Sequence, residues 1–92
     1  MQFDWDETKN IVNIRKHGID FSDVPAVFDK PMLILQDNRN DYGEVRWVGI
    51  GLLIEQVSVV IYTECDGEVI RIISVRKATK REVKGYVEYI KN

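Results

Sequence analysis

Apolar residues fall into short runs along the chain, and glycine, proline, asparagine and aspartate mark the breaks between them. The run QVSVVIYTE, Gln56–Glu64, is rich in β-branched residues and reads as a strand at the centre of a sheet. Val45–Leu53 and Val69–Val75 read as its neighbours, the second joined to it by a tight turn at Asp66-Gly67. Met32–Gln36 (MLILQ) is an earlier strand, followed by a polar turn region from Asp37 to Gly43. After the last strand the period changes. Val83, Val87 and Ile90, with Tyr86, recur at spacings of three and four, which predicts a helix over Ala78–Asn92. Thr79 with Glu82 resembles a capping box, so that helix is expected to begin near Thr79.

The N-terminal third is more polar. FDW, Phe3–Trp5, is a short strand-like start. Asp4 or Asp6 can cap the helix predicted from Lys9 to His17, and Glu7 suits the positive end of its dipole. Ile11, Ile14 and Val12 are expected to face inward, and Gly18 stops the helix. Ser22 or Asp23 would cap a second short helix with Pro25 in its first turn and Ala26, Val27 and Phe28 as its apolar face. Lys30-Pro31 ends it. The order of elements predicts an α+β domain of two layers: two N-terminal helices, an antiparallel meander of about four strands, and a C-terminal helix. One sheet face would carry the helices and the other would be left for function or a partner.

At 92 residues the chain has room for a single small domain, 1–92. With 45% hydrophobic and 30% charged residues it is expected to fold. Its single cysteine, Cys65, cannot form an internal disulfide and reads as a structural or turn residue. No metal or cofactor is expected. No apolar run approaches the ~20 residues of a membrane span, and Asp4 and Asp6 interrupt any leader-like start, so a cytoplasmic protein without membrane contact is expected.

The formal net charge is −2, which taken alone argues against a nucleic-acid partner. The distribution changes that picture. Residues 1–46 hold nine acids and six bases, whereas residues 71–84 hold six bases and one acid. A local field captures a polyanion more effectively than total charge does. The competing reading of such a run is a solvated, salt-bridged helix face, above all for Lys80 and Arg81.

Candidate chemistry gathers in three places. Lys16 and the only histidine, His17, sit at a predicted helix end. Arg39, Tyr42, Glu44 and Arg46 lie in and just after the polar turn, and alternation puts Glu44 and Arg46 on one face. Arg71, Arg76, Lys77 and Lys80 lie in and beyond the last strand. Regular alternation turns Arg71 and Arg76 to opposite faces, with Ile72 and Ser74 beside Arg76, unless a bulge intervenes. Such a set of Glu, Arg, Lys, His and Tyr fits metal-independent RNA cleavage. There the 2′-hydroxyl attacks the neighbouring phosphate, and the protein supplies a base, an acid and cations. The competing readings are a surface salt bridge for Glu44 and Arg46 and a helix-end cap for His17. Trp5 and Trp47 read as core or interface anchors.

The segments FDWDETKNIVNIRKHGIDF, DNRNDYGEVRWVGIG, VVIYTE and RIISVRKATKRE, in that order, closely resemble the BrnT family of bacterial type II toxins, from Phe3 to about Glu82. The resemblance implies a RelE-like fold and an RNA endonuclease that slows translation. It implies a BrnA-like ribbon-helix-helix antitoxin in a 2:2 assembly, with operator DNA contacted only through the antitoxin. Matched by position, it carries over Lys16, His17, Glu44, Arg46, Arg71, Arg76 and Lys77. We assign Lys16, His17, Glu44, Arg46 and Arg76 as catalytic, and Arg39, Tyr42, Arg71, Lys77 and Lys80 as RNA-binding. Two features depart from the pattern: the acidic balance, and LLIEQVSVV where a Gly-rich hairpin with a basic residue is expected. A catalytically inactive interaction module is the alternative these departures leave open.

Overall fold

Phe21, Val24 and Val27 recur at intervals of three, and all three are fully buried. That spacing is the period of a 3-10 helix, and the computed structural model, which describes residues 1–92, forms one over Phe21–Asp29. The second N-terminal helix expected from the sequence is therefore this tighter element. Its cap is Asp20, whose side chain accepts from the Ser22 N–H, rather than Ser22 or Asp23. Ala26 is exposed, because a period of three turns it away from the sheet.

The elements run β1 (Gln2–Trp5), α1 (Glu7–His17), the 3-10 helix, β2 (Leu33–Gln36), β3 (Trp47–Leu53), β4 (Gln56–Cys65), β5 (Val69–Lys77) and α2 (Lys80–Lys91). Five strands form one sheet in the order β1-β5-β4-β3-β2. Strands β2 to β5 are the expected antiparallel meander. The strand-like start also joins the sheet, and it pairs parallel to β5, so the sheet is mixed rather than a four-stranded antiparallel one. Asp66 and Gly67 both take positive φ in the three-residue turn, 66–68, that joins the paired Cys65 and Val69.

Both sheet faces carry helix, which corrects the expected two layers. On one face the 3-10 helix packs Phe21, Val24 and Val27 onto Val60, Tyr62, Ile70, Ile72 and Val75. Trp5 and Trp47 pack against this core as anchors. On the other face α2 packs Tyr86, Val83 and Val87 over Ile50, Val59 and Ile61. Ile90, expected on that side, is exposed. Helix α2 begins as read from the sequence, with Thr79 and Glu82 in a reciprocal capping box.

Helix α1 is turned over relative to its sequence reading. Ile11, Val12 and Ile14 are exposed, and Asn10 and Asn13 are the buried residues. Strand β1 stops at Trp5, so β5 has no strand partner on that side beyond Ile72. Asn13 takes the place of one: its Oδ1 accepts the Val75 N–H at 3.1 Å, and its Nδ2 donates to the Ile19 carbonyl at 3.0 Å. Asn10 Oδ1 accepts the Phe21 N–H at 2.9 Å. An unpaired buried backbone donor is costly, and the amides satisfy these where leucine or isoleucine could not.

Candidate functional site

The pairing of β4 with β5 decides which basic residues share a face. Ser74 pairs with Ile61, but Ile72 pairs with Tyr62, so Ile73 is an extra residue in β5. This bulge resets the alternation. Arg71, opposite Thr63, and Arg76, opposite Val59, then lie on the same face with Ser74. Ile72 and Val75 turn to the other face, into the core, so the expected grouping of Ile72 with Arg76 does not hold, while that of Ser74 with Arg76 does.

Following the register across the sheet defines three rows on this face. Asp4, Arg71 and Thr63 are in line, and one step beyond the strand ends the same row reaches Arg46 and Asp37. The next row is Ser74, Ile61, Val48 and Leu35, and the third is Arg76, Val59, Ile50 and Leu33. Rows of this kind are ~7 Å apart. Helix α2 covers the third row, which leaves the middle row as the apolar floor of a groove. Leu35, Val48, Val59 and Ile61 line it, with Asp37, Arg39, Arg76 and Glu82 as its polar walls.

The polar turn folds around one buried carboxylate. The Asp37 side chain is only 1% exposed, and it accepts from Arg39 Nε at 2.8 Å and Nη2 at 2.9 Å. The Arg39 backbone N–H and the Tyr42 hydroxyl also donate to it. Arg46 lies over the Tyr42 ring, 3.9 Å from its centroid, and its Nε donates to Glu44 Oε2 at 3.2 Å. The turn is tied to the sheet where the Asp37 N–H donates to the Arg46 carbonyl and the Thr63 hydroxyl donates to the Val45 carbonyl. Arg39, Tyr42, Glu44 and Arg46 thus form one continuous network through Asp37.

Across the groove, Arg76 Nη1 and Nη2 donate to both oxygens of Glu82 at 2.8 and 2.9 Å. The Arg39 guanidinium holds the Asp37 carboxyl down at about 2, and burial only partly opposes this. Arg76 likewise holds Glu82 at about 2, helped by the Thr79 N–H. Both carboxylates are ionised across the ordinary pH range. Glu82 raises the pKa of Arg76, whereas the charge on Arg39 lowers it, so the two guanidiniums feel each other across one groove.

The remaining nominees are spread out. Arg71 is half exposed and 3.8 Å from Asp4, the geometry of a weak surface pair. Lys77 pairs with Ser58 and so faces away from Arg76. Lys80 is exposed at the first residue of α2. Lys16 and His17 line a second groove, between α1 and the bulge, with Lys9, Ile73 and Ser74. Ser74 borders that groove, and its ladder partner Ile61 lines the first. Asp37 and Glu82 are site residues that the sequence reading left out of its nominations. Their signals were the two-residue step from Asp37 to Arg39, typical of an Asx-type turn, and the capping box of Glu82.

A crystal structure of the Brucella abortus ribonuclease toxin BrnT superposes on this chain with a TM-score of 0.72 at 29% sequence identity, covering 87% of this chain and 99% of that one. No individually curated protein matches it. The model of the family described as "Ribonuclease toxin, BrnT, of type II toxin-antitoxin system" matches residues 5–82, which takes in every residue lining the two grooves. The chain belongs to the BrnT family of ribonuclease toxins.

Proposed function

We propose that this chain is a metal-independent endoribonuclease whose RNA strand lies in the groove between the Asp37 turn and α2. The observation that carries this reading is the pair of guanidiniums, Arg39 and Arg76, facing one groove with a partly open apolar floor. Planar guanidinium forks suit phosphate, and an apolar floor suits a base or ribose face. Arg46 adds a third cation at the same end, stacked on Tyr42. The 2′-hydroxyl of one nucleotide attacks the adjacent phosphorus, its proton goes to a base, and the 5′-oxygen leaves with a proton from an acid. The products are a 2′,3′-cyclic phosphate and a 5′-hydroxyl. Asp37 and Glu82 are committed to their arginines and too acidic to serve as base. Glu44, with 44% of its side chain exposed, is the carboxylate of this network open to substrate. His17 and Lys16, which line the second groove with Ser74, are read as the acid that protonates the leaving 5′-oxygen, with the scissile phosphate at the Ser74 end of the first groove.

The family also supports an antitoxin partner. We read it as a BrnA-like ribbon-helix-helix protein in a 2:2 complex that contacts operator DNA on the toxin's behalf, and we read the toxin fold as RelE-like. A second reading, an inactive interaction module, is favoured by the carboxylate partner that Arg39, Arg46, Arg71 and Arg76 each already have. Induced expression in a bacterium separates the two, with total RNA followed in parallel. Wild type is expected to arrest growth and degrade RNA, and soluble Arg46→Ala to do neither. Soluble wild type that leaves growth and RNA untouched would establish the interaction module instead.

A further inference from the structure

We propose that Asp37 and Glu82 are positioning residues, which hold Arg39 and Arg76 as a preformed two-armed clamp for one RNA phosphate. This rests on the reading of the groove as an RNA site. A free arginine side chain on a surface samples many rotamers, and closing it on a phosphate freezes them at an entropic cost. Here that ordering is done in advance. Asp37 is buried, and it grips Arg39 along the Nε and Nη2 edge. Of the five guanidinium donors, the Nη1 pair and one Nη2 hydrogen stay free. Glu82 grips Arg76 by its Nη1 and Nη2 end, and Nη1 also donates to the Lys77 carbonyl. That leaves the Nε–H edge of Arg76 free. The two acids hold different edges of the two guanidiniums, so each arm keeps donors for a phosphate oxygen.

The anchors themselves are fixed from behind. Asp37 takes a backbone N–H and a tyrosine hydroxyl as well as the fork. Glu82 accepts the Thr79 N–H at 2.8 Å, and its own N–H donates to the Thr79 hydroxyl. The capping box of α2 therefore doubles as the mount of Arg76. The carboxylates also relieve the repulsion between two cations that share one groove.

The test turns on a sign. Removing an acid from an RNA groove makes it more positive, so plain electrostatics predicts tighter binding. Loss of positioning predicts weaker binding. The probe is a single-stranded RNA oligonucleotide with 2′-O-methyl sugars, which cannot be cut, and its dissociation constant is followed over a range of salt concentrations. Asp37→Asn and Glu82→Gln are each expected to bind about tenfold more weakly. Their salt dependence should match wild type, because no arginine is lost. Arg39→Ala and Arg76→Ala should bind more weakly and also lose ~0.7 from the log–log salt slope, the mark of one missing phosphate contact. Glutamine still completes a capping box, so Glu82→Gln keeps its fold and decides the matter if Asp37→Asn does not fold. Unchanged or tighter binding by Glu82→Gln, with Arg39→Ala and Arg76→Ala weakened, would overturn the clamp and leave the groove standing as the RNA site. Wild type that fails to bind, or arginine variants that bind as well as wild type, would overturn both.

Discussion

Asn13 shows what a single side chain does in this fold. It is 5% exposed, and its amide bridges the Ile19 carbonyl and the Val75 N–H, residues far apart in sequence. Replacing it with alanine strands a buried donor and a buried acceptor, a change expected to cost about 1–3 kcal/mol. Denaturant unfolding of Asn13→Ala should show a lower midpoint at an unchanged slope. A midpoint equal to wild type would mean that water or a shifted backbone replaces the amide. Sequence periodicity pointed the other way, to Ile11, Val12 and Ile14 as the inner face. Hydrophobic pattern assumes that the helix meets apolar surface, whereas α1 meets the open edge of β5, whose backbone needs hydrogen bonds. Which residue feeds an unpaired strand edge is set by where a neighbouring strand ends, and no local spacing carries that.

Most element boundaries were legible because turn and cap chemistry is local. The Thr79–Glu82 box, the Asp66-Gly67 turn and the Gly18 stop all form as read. Two features needed more than local pattern. The parallel partner of β1 is a long-range choice, and the bulge at Ile73 leaves only the adjacent isoleucines, Ile72 and Ile73, as a sequence trace. That one residue shapes the proposed site, since it moves Arg71 and Arg76 onto one face. The LLIEQ departure also has a structural counterpart. Leu53 pairs with Gln56, so Ile54 and Glu55 form the turn between β3 and β4, and Ile54 sits at φ 58°. A β-branched residue pays ~1–2 kcal/mol in that left-handed region, and at 74% exposure its side chain recovers little by burial. Ile54→Asn, a residue that tolerates this conformation, is expected to stabilise the protein by about 1 kcal/mol in thermal or denaturant unfolding. Destabilisation by Asn would show that the isoleucine makes a packing contribution larger than its strain.

Across the whole molecule, arginines gather on one face, each beside a carboxylate partner. The chain is acidic in sum, yet Arg39, Arg46, Arg71 and Arg76 share one sheet face. Of the three sequence regions that hold candidate residues, the polar turn and the last strand face one groove, and the family was legible. The groove itself was not, because it is made by the register of five strands and by how much of the face α2 covers. No helix is long and apolar enough to cross a membrane. The central claim is that Arg39 and Arg76 together hold the phosphate that is cut. It is tested most directly by incubating purified protein with single-stranded RNA in the presence of a chelator, wild type beside the folded double variant Arg39→Ala/Arg76→Ala. Wild type is expected to cut to 2′,3′-cyclic phosphate and 5′-hydroxyl ends, and the double variant to cut at least ~100-fold more slowly. A double variant that cuts as fast as wild type, or wild-type products that carry 5′-phosphates, would contradict that claim.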